Sequence, residues 1–152
     1  MITLHFCEYN RFNQDYDTIC RPGGSGDYLF LLLKTPMKIY LQEELIITKE
    51  NACILFTPQT PQHYQAVKRF CNSYLHFSSD LNPARQYGFP ENKIFYPSHP
   101  GETDSFIRSI QLEYFSLAEF REEYINCLIS QMFISLSRDL LHCADQKEDG
   151  EN

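Results

Sequence analysis

The sequence predicts a mainly β domain, a sandwich or barrel, followed by two antiparallel helices. All eight prolines lie between Pro22 and Pro100, and no proline interrupts the chain after that point. Before Pro100, short apolar runs between turn residues recur at roughly 8–12-residue spacing, which is typical of antiparallel β structure. After Gly101, apolar residues recur every three or four positions, as helices require. With 152 residues, 43% of them hydrophobic, the chain is large enough for one domain with its own core.

The strands are predicted from apolar or alternating runs bounded by turn residues. The strongest run, 28–33, follows a glycine-rich turn. No helix-length segment separates the runs, which excludes a parallel α/β arrangement. The predicted strands are 28–33, 38–41, 45–48, 53–56, 63–67 and 74–77.

Two helices are predicted after Gly101. Thr103 is the expected cap of the first helix. Ser116 and Glu119 have the spacing of a capping box, which predicts the start of the second helix. The second helix is expected to run to about His142, and the short connection makes the two helices antiparallel neighbours.

The second helix carries two apolar stripes, and two stripes call for two packing partners. We therefore predict a homodimer formed through this helix. The alternative is that both stripes are core, one against the first helix and one against the barrel. The predicted interface residues are Tyr124, Leu128, Met132, Phe133, Leu136 and Leu140.

Charge argues against several functions. The formal net charge is −7, and all of the excess lies after Pro100. Without a basic stripe the chain alone is not expected to bind DNA, RNA or an anionic membrane. It has no apolar run long enough to span a bilayer and no signal peptide, so a cytoplasmic protein is predicted. The six cysteines form no CxxC pair and are expected to be reduced, with structural zinc as a weak alternative.

Several motifs together carry a family resemblance. Arg21-Pro22, the Gly-Asp-Tyr before the first strong strand, the segment 58–64 and the segment 74–77 resemble the N-terminal sensor domain of AraC/XylS-type transcription regulators. The resemblance runs from about residue 21 to about residue 142. It departs at Asn51-Ala52, where the family commonly has glycine-aspartate, and at Pro58-Gln59, where it has proline-glycine.

The resemblance implies a cupin barrel, that is a jelly roll, followed by an antiparallel helix pair. It implies residues 1–100 as the barrel with an N-terminal arm, 101–143 as a dimerisation element and 144–152 as a polar linker. The polar segment 10–18 is a candidate mobile arm that closes over a ligand. In the family, DNA is bound through a C-terminal helix-turn-helix domain, which this sequence does not contain.

The resemblance also implies a site for a small-molecule effector, with a carbohydrate as one candidate. Matching motif to motif gives Arg21, Tyr64, Asn72 and Tyr74 as ligand-binding residues, with His63 as a further candidate. A guanidinium offers a planar set of donors to hydroxyls or a carboxylate, and a tyrosine ring can stack on a sugar. The alternative is that Arg21 pairs with a nearby aspartate and the tyrosines only fill the core.

No catalytic residues, metal or cofactor are predicted. Metal-dependent cupins use a His-x-His pair on one strand, and the strand 28–33 contains neither histidine nor carboxylate. No nucleophile motif occurs either. The predicted function is therefore an effector-binding and dimerisation domain of a transcription regulator. The alternatives are a cupin-type sugar isomerase or epimerase and a ligand-free dimerisation scaffold.

Overall fold

The computed structural model describes the backbone of residues 1–150 and the side chains of residues 1–143. Within these residues eight strands are followed by a short helix and two long ones. The strands are β1 (Ile2–Asn13), β2 (Thr18–Arg21), β3 (Tyr28–Leu33), β4 (Met37–Leu41), β5 (Glu44–Ile47), β6 (Ala52–Phe56), β7 (Gln62–Ala66) and β8 (Phe70–Ser79). The helices are α1 (Pro83–Tyr87), α2 (Pro100–Tyr114) and α3 (Arg121–Gly150).

The strands form two four-stranded antiparallel sheets. The first sheet has the order β1-β8-β3-β6 and the second has the order β2-β7-β4-β5. This interleaved order is that of an eight-stranded jelly roll, in which the chain repeatedly crosses from one sheet to the other. The predicted fold class, mainly β with C-terminal helices, is confirmed.

Strands β3 and β6 are buried on both faces, which explains their continuous apolar sequences. Leu29 and Leu31 of β3 point between the two sheets. Phe30 and Leu32 point the other way, into a second core beneath the helices. The first sheet is thus the middle layer of a three-layer molecule.

The two long helices pack on the outer face of the first sheet, but the predicted caps were wrong. Helix α2 begins at Pro100, whose fixed φ suits the first helical position, and Thr103 lies buried inside the helix. Ser116 accepts a hydrogen bond from the Ala118 amide within the connecting turn. Helix α3 begins at Arg121, because Phe120 has a left-handed φ of 60° that breaks the helix there.

The apolar stripes of α3 mostly pack inside the chain, which corrects the predicted interface. Met132 and Phe133 are completely buried and Leu136 nearly so, and Leu128 and Leu140 pack partly against the same core. These side chains cover the first sheet and α2, so the three buried ones have no surface to offer a second chain. Of the six predicted residues, only Tyr124 is classed as exposed. A homodimer stays a prediction.

Strand β1 was not predicted, and part of it was interpreted as a mobile arm. It is twelve residues long, nine of its residues have a partner in β8, and residues 10–13 belong to it. Two register shifts, after Leu4 and after Glu8, interrupt the alternation of inward and outward side chains along this strand. The strand therefore lacks the two-residue periodicity from which a strand is predicted. The turn after it is also held in place, because the Tyr16 amide donates to the Lys68 carbonyl.

The C-terminal end differs from the predicted linker in its backbone. Helix α3 continues past His142 to Gly150, through a segment without proline or internal glycine. The side chains of 144–150 and the whole of 151–152 lie outside the described residues. The linker role therefore stays a prediction. In the part of the chain that the structure describes, no helix is long and apolar enough to cross a membrane.

Candidate ligand-binding cavity

A cavity of about 280 Å³ lies between the two sheets at one end of the jelly roll. Strands β1, β3 and β8 of the first sheet and strands β2 and β7 of the second supply its walls. The lining residues are Phe6, Glu8, Arg11, Asn13, Ile19, Arg21, Leu29, Leu31, Tyr64, Phe70, Asn72, Tyr74 and His76. The cavity therefore combines an apolar floor with several charged and polar groups.

A bulge in β1 brings Glu8 and Arg11 to the same wall. Residues three apart on a regular strand face opposite sides of the sheet. The register shift between these two residues, with a φ of 53° at Asn10, reverses the alternation so that both side chains line the cavity. The bulge is held by the Asn10 amide, which donates to Ser73 Oγ at 3.0 Å.

Two acceptor atoms on this wall lack hydrogen bonds. Glu8 Oε2 and Asn72 Oδ1 are both buried and have no hydrogen-bond partner. The cation beside the Glu8 carboxylate is Arg11, whose Nε lies 3.5 Å from Oε2. A buried acceptor left without a donor typically costs about 1–3 kcal/mol. Both atoms are thus placed to accept hydrogen bonds from a bound molecule.

Tyr74 stands next to Glu8 on the same wall. It lies directly opposite Glu8 in the β1–β8 register and opposite Leu31 in the β3–β8 register. Burial, together with the neighbouring Glu8 carboxylate, raises the pKa of Tyr74 to about 12. The phenol therefore stays protonated at neutral pH and can donate a hydrogen bond.

Arg21 faces the cavity from the second sheet. Its NH1 group donates to Gln62 Oε1 at 2.8 Å. Burial raises the pKa of the neighbouring Tyr64 to about 12, partly offset by the Arg21 charge. Among the described residues no carboxylate lies within 4.0 Å of Arg21, so its charge is not neutralised by the protein.

A hydrogen-bonded chain leads from Arg21 around the end of the barrel. Gln62 is completely buried and donates through Nε2 to Ser25 Oγ at 3.1 Å. Ser25 donates to Asp27 Oδ1 at 2.8 Å, and His76 Nδ1 lies 3.0 Å from the same oxygen. His76 itself lines the cavity, so this chain connects its two sides.

Asp27 is the centre of that chain. Its second oxygen lies 3.0 Å from His5 Nδ1. Burial raises the pKa of Asp27, but the hydrogen bonds with His76, His5 and Ser25 outweigh this effect and hold the pKa below its ordinary value. The carboxylate is thus ionised at neutral pH.

Four of the five sequence-predicted ligand residues, Arg21, Tyr64, Asn72 and Tyr74, come together around the cavity. The fifth, His63, does not. Neighbouring residues of a strand face opposite sides, so with Tyr64 inside, His63 lies on the outer face of β7. There it stacks on Tyr40 with ring centroids 4.4 Å apart and lines a separate outer groove.

The sequence analysis missed the contribution of β1. Glu8, Arg11 and Asn13 line the cavity, but the bulge hides the alternation that would have shown them on one face. His76 was not among the predicted ligand residues, although the alternation of β8 places residues 70, 72, 74 and 76 on the inner face together. That alternation is the signal that was available for His76.

The described residues hold neither a group of metal-ligand side chains nor a disulfide bond. Among the described residues no three His, Cys, Asp or Glu side chains are arranged to hold a metal ion. The six cysteines are free thiols. Burial raises the pKa of Cys7 to about 12, which keeps that thiol protonated and unreactive.

Comparisons with known proteins give a limited result. No family model matches the chain, and no curated protein matches it. One solved structure of ToxT from Vibrio cholerae is similar, with 14% sequence identity and a TM-score of 0.49, covering 86% of this chain and 57% of that one. A second ToxT structure has 14% identity and a TM-score of 0.48, covering 91% of this chain and 54% of that one. The chain spans somewhat more than half the length of these structures.

Proposed function

We propose that this chain is the effector-binding domain of a transcription regulator of the AraC/XylS type, binding a small molecule between its two sheets. One observation carries the proposal. Arg21, Tyr64, Asn72 and Tyr74, chosen from motifs spread over more than fifty residues of sequence, surround one cavity. A residue set selected for a ligand role and found around a single cavity supports that role more than a core-filling role.

The size and polarity of the cavity suit a small molecule. Pockets for small molecules typically enclose about 300–1,000 Å³ and combine apolar walls with a few fixed polar groups. The volume here, about 280 Å³, corresponds to a compact ligand such as a monosaccharide derivative. Leu29, Leu31 and Phe70 supply the apolar part, and the unpartnered acceptors supply the polar part.

Strand β1 provides a route from the cavity to the helices. The Tyr9 amide donates to the Gln111 side chain of α2, and the Tyr114 hydroxyl donates to the His5 carbonyl. The Ile2 amide donates to Asn126 of α3 at 2.8 Å. A ligand that binds Glu8 or Arg11 therefore acts on a strand bonded to both long helices. In this proposal, occupancy shifts β1 and the helices, and a regulator's DNA-binding domain responds.

The test is ligand binding by the purified chain and two variants. Native mass spectrometry detects co-purified molecules, and thermal-shift screening of small metabolites finds others. Arg21→Gln is expected to weaken binding by about 10- to 100-fold through loss of charge-assisted hydrogen bonds. His63→Ala, on the outer face of the same sheet, is the matched control and is expected to bind as the wild type does. Binding unaffected by Arg21→Gln, or turnover of the bound compound, would contradict the proposal.

A second candidate is a dimerisation scaffold, favoured by apolar side chains at the α2–α3 turn. Phe115, Leu117 and Phe120 are 68%, 103% and 74% exposed, and Leu112 and Tyr124 lie nearby in sequence and are exposed too. Light scattering of the wild type and of Leu117→Ser/Phe120→Ser distinguishes this role. A dimer that the double substitution dissociates, in a chain that binds no small molecule, would favour the scaffold.

A further inference from the structure

We propose that the cavity ligand is a small hydroxylated carboxylic acid, such as a sugar acid, with its carboxylate at Arg21 and its hydroxyls at Glu8 and Asn72. This inference rests on the proposed function and adds the chemical class of the effector. The evidence for this inference is the set of charged side chains and unpartnered acceptor atoms that line the cavity.

The carboxylate position follows from Arg21. A guanidinium has five N–H donors, and Arg21 directs donors to Gln62 Oε1 and to the Tyr64 hydroxyl, which leaves others for a ligand. No carboxylate of the described residues lies within 4.0 Å. A guanidinium in a partly buried cavity is stabilised by a carboxylate that accepts two parallel hydrogen bonds. The neighbouring Tyr64 hydroxyl is placed to add a further donor.

The hydroxyl positions follow from the opposite wall. Glu8 Oε2 and Asn72 Oδ1 are buried acceptors without a hydrogen-bond partner, so a ligand that brings hydrogen atoms to them is favoured. An alkyl chain brings none, and each acceptor left unmet inside the complex lowers affinity by roughly tenfold or more. A fatty acid therefore satisfies Arg21 and leaves this wall unsatisfied.

The balance of charge favours hydroxyls over an ammonium group. Glu8 already has Arg11 within 3.5 Å, so these two charges offset each other. Arg21 then leaves the cavity with one positive charge to be matched. A singly negative hydroxy acid matches it, whereas an amino acid zwitterion adds no net charge. The Tyr74 ring and the leucine side chains at 29 and 31 provide a surface for the carbon face of a sugar.

Calorimetric titration with matched pairs tests this inference. The acids are galacturonate, glucuronate, gluconate and xylonate, and their neutral partners are galactose, glucose, glucitol and xylitol. Hexanoate supplies a carboxylate without hydroxyls. At least one acid is expected to bind about 10- to 100-fold more tightly than both its neutral partner and hexanoate. A neutral sugar or hexanoate that binds as tightly as every acid would overturn the inference while leaving the proposed function intact.

Two variants test which cavity residues bind the carboxylate and the hydroxyls of the ligand. Arg21→Gln is expected to weaken binding of the acid much more than binding of its neutral partner, so that the preference for the acid is lost. Glu8→Gln is expected to weaken binding of the acid and of its neutral partner by similar factors, because both compounds make the hydroxyl contacts. Arg21→Lys, which keeps the charge, serves if Arg21→Gln does not fold, and it is expected to retain part of the preference. An acid preference that survives in a folded Arg21→Gln chain contradicts the assignment.

Failure of this inference can be distinguished from failure of the proposed function. If no compound of the panel binds, and native mass spectrometry finds no co-purified molecule, the proposed function fails together with this inference. If compounds bind without regard to their carboxylate, only the inference fails. His63→Ala is expected to leave all affinities unchanged.

Discussion

Glu8 lies directly opposite Tyr74 in the β1–β8 register, and both side chains line the cavity between the sheets. Glu8 Oε2 is buried without a hydrogen-bond donor. The pair places a carboxylate and a protonated phenol side by side on one wall.

Glu8→Gln is expected to lower the pKa of Tyr74. Burial and the neighbouring Glu8 carboxylate together raise that pKa to about 12, burial being the larger cause, because a second negative charge beside the carboxylate is unfavourable. Removing the Glu8 charge leaves burial as the largest remaining cause. Spectrophotometric titration of the phenols, with Tyr74→Phe to identify the signal, measures the change. A Tyr74 pKa that is the same in both chains would show that the carboxylate does not act on the phenol.

Gly24→Ala is expected to destabilise the protein by about 1–3 kcal/mol. Gly24 has a φ of 79°, and a Cβ there would lie 2.4 Å from the Pro58 carbonyl oxygen. The clash is with backbone, so the β2–β3 loop would have to move, and Arg21 lies at the base of that loop. Urea unfolding measures the loss.

Gly23→Ala is the matched control for that loop. A Cβ on Gly23 meets nothing within 4 Å. The free energy of unfolding is therefore expected to stay within about 0.5 kcal/mol of the wild type, as for surface substitutions in general. Equal effects of the two substitutions would show that the close approach of Gly24 to Pro58 is not a constraint.

Asp27 is expected to stabilise the fold above its ordinary pKa of 3.8 and to lose that effect as the pH falls. Its pKa is lowered in the folded protein, so the folded state favours the ionised form, and protonation at low pH removes the advantage. Urea unfolding of the wild type and Asp27→Asn between pH 6 and pH 3 measures the difference.

The difference in stability between wild type and Asp27→Asn is expected to shrink as the pH falls through and below that value. Asp15→Asn is the control, since Asp15 is exposed. A difference that does not change with pH would contradict the role given to the Asp27 hydrogen bonds with His5 and His76.

Phe133→Ala is expected to cost about 3–5 kcal/mol of stability, as for other buried phenylalanines. The Phe133 ring is completely buried and lies within 5.1 Å of the Phe89 ring and 5.7 Å of the Phe30 and Phe77 rings, centroid to centroid. Tyr124→Ala, on the exposed part of the same helix, is expected to cost far less. If Phe133→Ala kept full stability and changed only the oligomeric state in light scattering, Phe133 would belong to an interface between chains.

The β-sandwich was predictable because its central strands have strong local signals. The run at β3 is apolar throughout, since one face meets the second sheet and the other meets the helices. Asn51, which stands where the family commonly has glycine, adopts a left-handed φ of 66°. By contrast, β1 has two register shifts, and a pattern that changes face in mid-strand has no single period to detect.

The residues of the candidate site that belong to sequence motifs were predictable, whereas those that only the tertiary structure brings to the cavity were not. Arg21, Tyr64, Asn72 and Tyr74 came from the family resemblance, and the structure places them together. Glu8 became visible only after the bulge in β1 was known. The apolar stripes of α3 did not reveal whether their partner is the same chain or a second one, because both partners require the same residues.

The most direct test of the account is the location of binding in solution. Backbone amide shifts of the isotopically labelled chain are followed by NMR during titration with the tightest-binding compound of the acid and neutral panel. Binding between the sheets is expected to give the largest changes at Arg21, Asn72 and Tyr74, with His63 and Tyr40 unaffected. Changes centred on His63 and Tyr40 would place the ligand in the outer groove and contradict a binding site between the sheets.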